Sequence, residues 1–326
     1  MKRIITAAVA IGTVLTSLIC ASCGKQESEE KKSVPVIGIS QYGEHPSLDN
    51  CRTGFIDGLK EAGLTEGTDF EIDYQNAGFD DNIATQIAQN FSAKNVALMC
   101  GIATNSATAC YAGAEDKNIP VIFNAITDPV KAKLDSGNVT GVSDKLPVEA
   151  QLDLIRKLQP EAKTIGIVYT TSEPNSVSAI EEYKEKAGNY GFEIDDIGVT
   201  AQSEVTQAID TLISRDVDAI SNLTDNNVVG VLASVLDKTN EAGIPVYGSE
   251  VEQVKGGCVA SAGIDYVELG KQAGKMAAKV LRGEAKCTDM PFETVTEYGI
   301  YVNSSALSEM NITLPDDIAS KAVEAE

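Results

Sequence analysis

Histidine and basic residues are scarce in this sequence of 326 residues, which has one histidine and 26 Lys and Arg against 48 Asp and Glu. The single histidine, His45, excludes a histidine-rich metal cluster. The formal net charge of -22 argues against nucleic-acid binding, because contacts to phosphates need clustered Lys and Arg. We expect the acidic surface to serve solubility, and we expect no metal site and no cofactor.

Catalytic motifs are also missing. The sequence contains no G-x-S-x-G, no Walker lysine loop and no G-x-G-x-x-G. A Ser-His-Asp triad could use His45, but no sequence pattern places a serine beside it. We therefore predict a protein without enzymatic activity. After Cys23, five cysteines remain, an odd number with no zinc spacing. We predict buried thiols and leave a disulfide open.

The N-terminus has the pattern of an export signal. A short basic start precedes the uncharged apolar run 4–19, and small residues then lead to Cys23. The arrangement resembles a bacterial lipoprotein box, although Cys20 stands where leucine is usual. It predicts a signal peptide at 1–22, lipidation at Cys23 and a polar tether through 33, and a plain signal peptide is the alternative. Two acyl chains would anchor the protein stably to the membrane.

From Val34 onward, short β-branched runs alternate with amphipathic segments, the pattern of parallel sheets covered by helices. The predicted strands lie at 34–40, 70–76, 96–102, 120–126, 164–169, 193–199, 219–222, 245–248 and near 259. The predicted helices lie at 49–62, 82–93, 105–116, 147–158, 176–190, 205–215, 228–242 and 267–282.

The alternation of strands and helices begins again after Val139–Val142, which indicates two α/β units in tandem. Helix 267–282 and the run 294–302 are left over, and such segments cross back between the lobes of a two-lobed protein. We therefore predict one lobe from 34–143 plus 266–292 and a second from 144–265 plus 293–326, joined by hinge crossovers.

Six loops that follow predicted strands are rich in hydroxyls, amides and carboxylates. In open parallel sheets, ligands bind beyond the carboxyl ends of the strands. Ser, Thr, Asp and Asn are also the preferred residues at helix starts, so any single loop is explained as well by capping. The hypothesis of a ligand site depends on the six loops facing one another across a cleft.

Several segments in a fixed order carry a resemblance to a known family. They are IGISQYGEHPSLD, PVIFNAITDPVKA, NVTGVSD, TSEPNS, TDNNVV, PVYGSEVEQVKGG and GIDYVELGKQAGKMAAKVLRG. They resemble the bacterial substrate-binding lipoproteins of ABC transporters, in particular the subgroup associated with tryptophan and tyrosine. The resemblance implies the type I periplasmic binding fold, whose two lobes close on a small ligand without catalysis.

The resemblance also implies partners and a location. An aromatic amino acid would be captured outside the cytoplasm, at the membrane anchor, and delivered to an ABC permease and its ATPase. A lipid-tethered sensor that reports ligand occupancy to a signalling protein is the alternative.

Joined to the chemistry of the loops, the resemblance implies a ligand site. A ligand carboxylate needs donors, and we expect these from Thr104, Asn105 and Ser106 at a helix start and from Thr127. The ammonium needs an acid, for which Asp225 and Glu250 are the candidates. The other predicted ligand-binding residues are Gln41, Tyr42, Asp128, Ser172, Asn175, Asn226 and Asp265, with Tyr42 expected to stack on an aromatic ligand. His45 is open to two interpretations, a ring at the cleft or a residue that starts a helix.

Overall fold

A computed structural model describes residues 34–325 of the chain. The predicted signal peptide, the lipidation site Cys23 and the tether lie outside the described residues. In the described part, no helix is long and apolar enough to cross a membrane.

The described chain alternates strands and helices, as the sequence pattern predicts. The strands are β1 Val36–Gln41, β2 Glu71–Asn76, β3 Leu98–Ile102, β4 Val121–Asn124, β5 Val139–Ser143, β6 Thr164–Thr170, β7 Glu193–Val199, β8 Ala219–Ser221, β9 Val246–Tyr247, β10 Ala260–Gly263, β11 Glu293–Thr294, β12 Gly299–Val302 and β13 Ala322–Glu324. The α-helices are α1 Pro46–Glu61, α2 Asp81–Lys94, α3 Thr104–Ala114, α4 Val148–Leu158, α5 Pro174–Lys186, α6 Val205–Ser214, α7 Asn226–Val229, α8 Leu232–Ala242, α9 Val251–Lys255, α10 Tyr266–Leu281, α11 Ser304–Glu309 and α12 Asp316–Ala319.

The strands form two sheets. The first has the order β11-β5-β4-β3-β1-β2 and the second the order β13-β12-β10-β9-β8-β6-β7. All described pairings are parallel except that of β10 with β12. The predicted α/β class, with helix-flanked parallel sheets in two lobes, is thereby confirmed. We call each sheet with the helices packed on it the first and the second lobe.

The chain passes between the lobes three times, from β5 to α4, from β10 to α10 and from β11 to β12. The first lobe buries one apolar core around residues such as Phe55 and Phe123. The second lobe has two clusters on its sheet, around Tyr183 and Ile209. The strand Glu293–Thr294 pairs with Val139–Ser143 in the first sheet, although the sequence pattern places residues from 293 onward with the second lobe. The lobe boundaries named above stay a prediction.

The structure adds β5, β13, α11 and α12, which are not among the predicted elements, and it also differs from them at 228–242. One helix was expected there, and the chain forms α7 and α8 with a break between Val229 and Leu232. A side chain on Gly230 would come within 2.3 Å of the Gln202 amide, so a close neighbour occupies the turn at this point. The short helix Val251–Lys255 was also not expected, because five residues are too few for a helical pattern to be seen.

Five buried cysteines of the described residues carry no disulfide, which agrees with the predicted buried thiols. They are Cys51, Cys100, Cys110, Cys258 and Cys287.

Helices α1 and α10 pack in direct backbone contact through glycines four residues apart on both helices. A Cβ atom added at Gly54 would stand 2.1 Å from the Val267 carbonyl oxygen, and one at Gly274 would stand 2.2 Å from the Phe55 oxygen. Gly58 and Gly270 are equally crowded. Because real side chains do not tolerate such distances, the glycines set how near the two helices lie. The beginnings of both helices are thereby held at the carboxyl end of the first sheet.

We predict that Gly270→Ala lowers the free energy of unfolding by about 1–3 kcal/mol, because the added methyl group overpacks the helix contact. Urea unfolding measures the change. Gly188→Ala is the matched control, since a Cβ there would meet nothing within 4 Å. Equal effects of the two substitutions would contradict the packing argument.

Candidate functional site

A small cavity lies between the lobes, where the carboxyl ends of strands from both sheets face each other. Five of the predicted ligand-binding residues line it. They are Thr104, Thr127, Asn175, Asn226 and Glu250. His45 also lines the cavity, and it is the residue directly before α1, so the structure agrees with both of its interpretations. No cluster of metal-ligating side chains occurs among residues 34–325.

The first-lobe wall contains the N-terminus of helix α3. Thr104 is the first residue of this helix, and its hydroxyl is buried without a hydrogen-bond partner at 3 % exposure. Ala103 before it has a φ of 71°, and Ala125 at the end of the neighbouring strand has a φ of 60°. Two alanines in the left-handed region are uncommon, and such strain collects at ligand sites. Their small side chains keep space open in front of the α3 N-terminus.

Two buried carboxyl groups line the cavity. Asp144, which follows β5, accepts hydrogen bonds from the Thr127 hydroxyl at 3.0 Å and the Tyr266 hydroxyl at 2.6 Å. Burial raises the pKa of Asp144, and these two donors oppose the shift. Burial also raises the pKa of Glu250 to about 7, against hydrogen bonds from the backbone of Glu252 and the Ser47 hydroxyl.

The second-lobe wall is organised by the buried carboxylate of Glu173. It accepts hydrogen bonds from the Asn226 side chain at 2.7 Å and from the Asn175 side chain at 3.1 Å. Asn175 also donates to the Thr224 carbonyl at 2.9 Å, which leaves its Oδ1 buried without a partner. Burial and the neighbouring Asp225 raise the pKa of Glu173.

Three hydrogen bonds join the lobes at the cavity. His45 Nε2 lies 3.2 Å from Asn226 Oδ1, and the Ser47 hydroxyl donates to Glu250 at 3.0 Å. The hydroxyls of Thr127 and Thr224 are 3.3 Å apart. The lobes are therefore closed on each other around the cavity.

Three predicted residues of the first lobe are used in local structure beside the cavity. Gln41 donates to Asp49 at 3.0 Å and accepts from Arg52 at 2.6 Å. The Tyr42 ring packs edge-on against Phe79 at 6.0 Å. Ser106 is fully buried and accepts a hydrogen bond from Ser40.

The five remaining predicted residues also lie off the cavity lining. Asn105 donates to Asp81, and Asp128 accepts from Ser178 across the lobes. Ser172 is exposed in a turn.

Asp225 and Asp265 act as helix caps. Asp225 caps α7 and accepts three hydrogen bonds, two of them from Thr170. Asp265 caps α10 on the surface.

Residues that the sequence pattern did not single out complete the wall. Asp144, Thr224, Gln253 and Tyr266 line the cavity, and Leu48, Ala103, Ala125 and Val229 add apolar surface. Asp144 ends the segment NVTGVSD and directly follows strand β5. Its position just beyond the carboxyl end of a strand is the sequence feature that would have identified it.

Comparisons with known proteins agree on one family. The family model "ABC transporter substrate binding protein" matches residues 36–326. The chain is 38% identical over 294 residues to a "Tyrosine-binding protein" of Clostridioides difficile, covering 88% of this chain and 83% of that protein. The crystal structure of an ABC domain in complex with L-Trp from Streptococcus pneumonia is 34% identical, with a TM-score of 0.85 over 90% of this chain and 99% of that one.

A ligand-free, open structure of a substrate-binding protein with adhesive properties from Clostridium difficile is 36% identical. It has a TM-score of 0.67 over 90% of this chain and all of the other chain. At similar identity, this chain thus superposes better on the tryptophan complex than on the open form. The shared fold is that of the type I periplasmic binding proteins.

We predict that the protein in its closed form loses stability as the pH rises from about 5 to 8, in part through Glu250. Because its pKa is higher in the folded than in the unfolded chain, the folded state binds more protons over this range. The stabilisation is present below about pH 4.5 and is lost as the pH passes 7. The contribution is on the order of 3 kcal/mol.

Urea unfolding of Glu250→Gln at pH 5 and pH 8 measures this contribution, and we expect a smaller fall than in the wild type. Burial lowers the pKa of His45, which acts in the opposite direction and is common to both proteins. Glu241→Gln, exposed near the end of α8, is the control. An unchanged pH dependence in Glu250→Gln would contradict the assignment.

Proposed function

The chain belongs to the ABC transporter substrate-binding proteins, and from that premise we propose that it captures an aromatic amino acid between its lobes and delivers it to a membrane permease. Proteins of this family bind small ligands outside the cytoplasm and are not enzymes. The proposal includes anchoring by a lipid on Cys23, which the sequence pattern supports.

One observation carries the proposal. Three side chains on the cavity wall, those of His45, Thr104 and Asn175, have buried polar atoms without a partner among the described residues. Buried polar groups in native proteins are nearly always hydrogen-bonded, so unpaired ones need an explanation. A polar ligand held between the lobes supplies the missing partners.

The carboxylate of the amino acid is assigned to the α3 N-terminus. The free backbone N–H groups and the positive end of an 11-residue helix favour an anion there. The unpaired Thr104 hydroxyl adds a donor, and Ala103 leaves room for a close approach.

The ammonium is assigned to Asp144, with Glu250 as a second acid. An ionised carboxylate has about four acceptor positions. Glu250 uses three of them for Ser47, Glu252 and Gln253, whereas Asp144 uses two. Asp144 also follows β5, beside the strand that leads to Thr127. Asp225, predicted as an alternative, uses three positions and does not line the cavity.

The aromatic side chain is supported by the relatives and by the wall. A relative named for tyrosine and a structure holding L-Trp both match nearly the whole chain. The better superposition on the tryptophan complex supports closure around a ligand. Leu48 and Val229, one from each lobe, offer apolar surface to a ring. A tethered sensor would use the same cavity and differs only in the partner that it engages.

We expect calorimetric titration of residues 24–326, stripped of carried-over ligand, to show saturable binding of tryptophan, tyrosine or phenylalanine. Thr104→Val should weaken binding about tenfold, because it removes a donor to the ligand carboxylate. Its free energy of unfolding should not fall, since the hydroxyl has no partner in the protein. Thr108→Val, one turn along α3 on the exposed side, is the control and should bind normally.

The absence of binding to every aromatic amino acid would rule out this ligand class. Equal losses in Thr104→Val and Thr108→Val would contradict the carboxylate assignment alone.

The ammonium assignment predicts a difference between tyrosine and 3-(4-hydroxyphenyl)propionic acid, which lacks the amino group. The wild type should prefer tyrosine by about tenfold to a hundredfold, as a charge-assisted hydrogen bond to a buried acid implies. Asp144→Asn should abolish most of this preference, and Glu250→Gln should reduce it less. A preference that survives in Asp144→Asn and disappears in Glu250→Gln would assign the ammonium to Glu250.

A further inference from the structure

The orientation of the Asn226 side chain determines which nitrogen of His45 carries a proton. Asn226 Nδ2 donates to the buried carboxylate of Glu173 at 2.7 Å, so the other amide atom, Oδ1, is the one that faces His45. This oxygen lies 3.2 Å from His45 Nε2. A carbonyl oxygen only accepts hydrogen bonds, and therefore Nε2 is the donor.

The second ring nitrogen, Nδ1, is then left as an acceptor. His45 is 8 % exposed, and burial lowers its pKa although Asp49 and the Asn226 hydrogen bond oppose the shift. The ring is therefore neutral near pH 7 and carries one proton. Phe79 lies parallel to the ring at 6.4 Å and offers no donor. Among the described residues, nothing donates to Nδ1.

We propose that Nδ1 of His45 accepts a hydrogen bond from the side chain of the bound ligand. The site would then select aromatic amino acids whose rings carry a donor, the phenol of tyrosine or the indole of tryptophan, over phenylalanine. This inference rests on the proposed function, in which the ligand is an aromatic amino acid.

The sheet order separates His45 from the groups that hold the amino-acid backbone. Along the first sheet, β5, β4, β3 and β1 are successive neighbours, with adjacent strands about 4.8 Å apart. Asp144 follows β5, Thr104 follows β3, and His45 follows β1. Asp144 and His45 thus belong to opposite ends of this row. Because all three residues line the same cavity, we infer that a ligand with its ammonium at Asp144 and its carboxylate at Thr104 directs its side chain toward the His45 side of the cavity.

An analogue without the donor would leave the buried nitrogen unpaired. Such a loss is costly in a closed site, because water does not replace the missing partner. We expect tyrosine to bind at least about tenfold more tightly than phenylalanine. We expect the same factor between tryptophan and 3-benzothienylalanine, in which sulfur replaces the indole N–H.

Two substitutions of His45 test the two nitrogens separately. Glutamine places its amide near the position of Nε2, so His45→Gln keeps a donor to Asn226 and removes the acceptor at Nδ1. Asparagine places its amide near Nδ1, so His45→Asn keeps an acceptor there. Calorimetric titration of both variants and the wild type against the four ligands gives the two affinity ratios.

The expected result is that His45→Gln brings both ratios close to one and changes phenylalanine affinity by less than about threefold, which also shows that the variant is folded. His45→Asn should retain most of the discrimination. Ratios near one in the wild type, unchanged ratios in His45→Gln, or an equal loss for all four ligands would overturn the inference while leaving the proposed function standing. A wild type that binds none of the four would overturn both.

Discussion

The second-lobe wall of the cavity depends on one buried carboxylate, that of Glu173. It accepts hydrogen bonds from the side-chain amides of Asn175, Asn226 and Asn227, so the amide nitrogen of each points toward Glu173. The amide oxygens of Asn175 and Asn226 therefore face away from Glu173, and that of Asn226 lies within hydrogen-bond distance of His45 in the opposite lobe. Because the network is fully buried, turning one amide would leave a buried donor or acceptor unpaired. The chemistry that the second lobe presents to a ligand is thus set by a residue that does not line the cavity.

Few direct interactions hold the closed lobes together. The three hydrogen bonds at the cavity are supplemented by the hydrogen bond from Ser178 to Asp128 and by an exposed ion pair between Lys131 and Glu181, and such exposed pairs contribute little in water. By contrast, the proposed function gives the unpaired atoms on the cavity wall their partners when a ligand is bound. A ligand that interacts with both walls shifts the equilibrium toward the closed form by the difference between its affinities for the two forms. The contacts that give specificity are therefore the same contacts that drive closure.

The sequence predicts those residues of the site that follow directly from the ends of buried strands. Thr104, Thr127, Asn175, Asn226 and Glu250 reach the cavity because they follow buried strands whose ends the apolar pattern locates. Tyr42 and Ser106 also follow strands, yet they pack inward against Phe79 and Ser40, and only the tertiary structure decides this direction. The sequence pattern does not identify Asp144 as a site residue, for a related reason. Its hydrogen-bond partner Tyr266 is 122 residues away, and an acid after a strand is usually a turn or a cap.

The acidic residues of the cavity also make the closed form without a ligand less stable relative to the open form. Burial raises the pKa of both Asp144 and Glu250, so without a ligand their ionised forms are disfavoured. A bound ammonium reverses this effect, because a nearby positive charge favours the ionised carboxylate. The α3 N-terminus needs an anion at the same time, since its backbone N–H groups lie beside the unpaired Thr104 hydroxyl. A zwitterion satisfies both demands in one molecule, whereas a simple anion leaves the acids without a cation and a simple amine leaves the helix without an anion. With the proposed assignments, the electrostatics of the closed cavity therefore favour an α-amino acid over ligands of a single charge, before any contact with the side chain is considered.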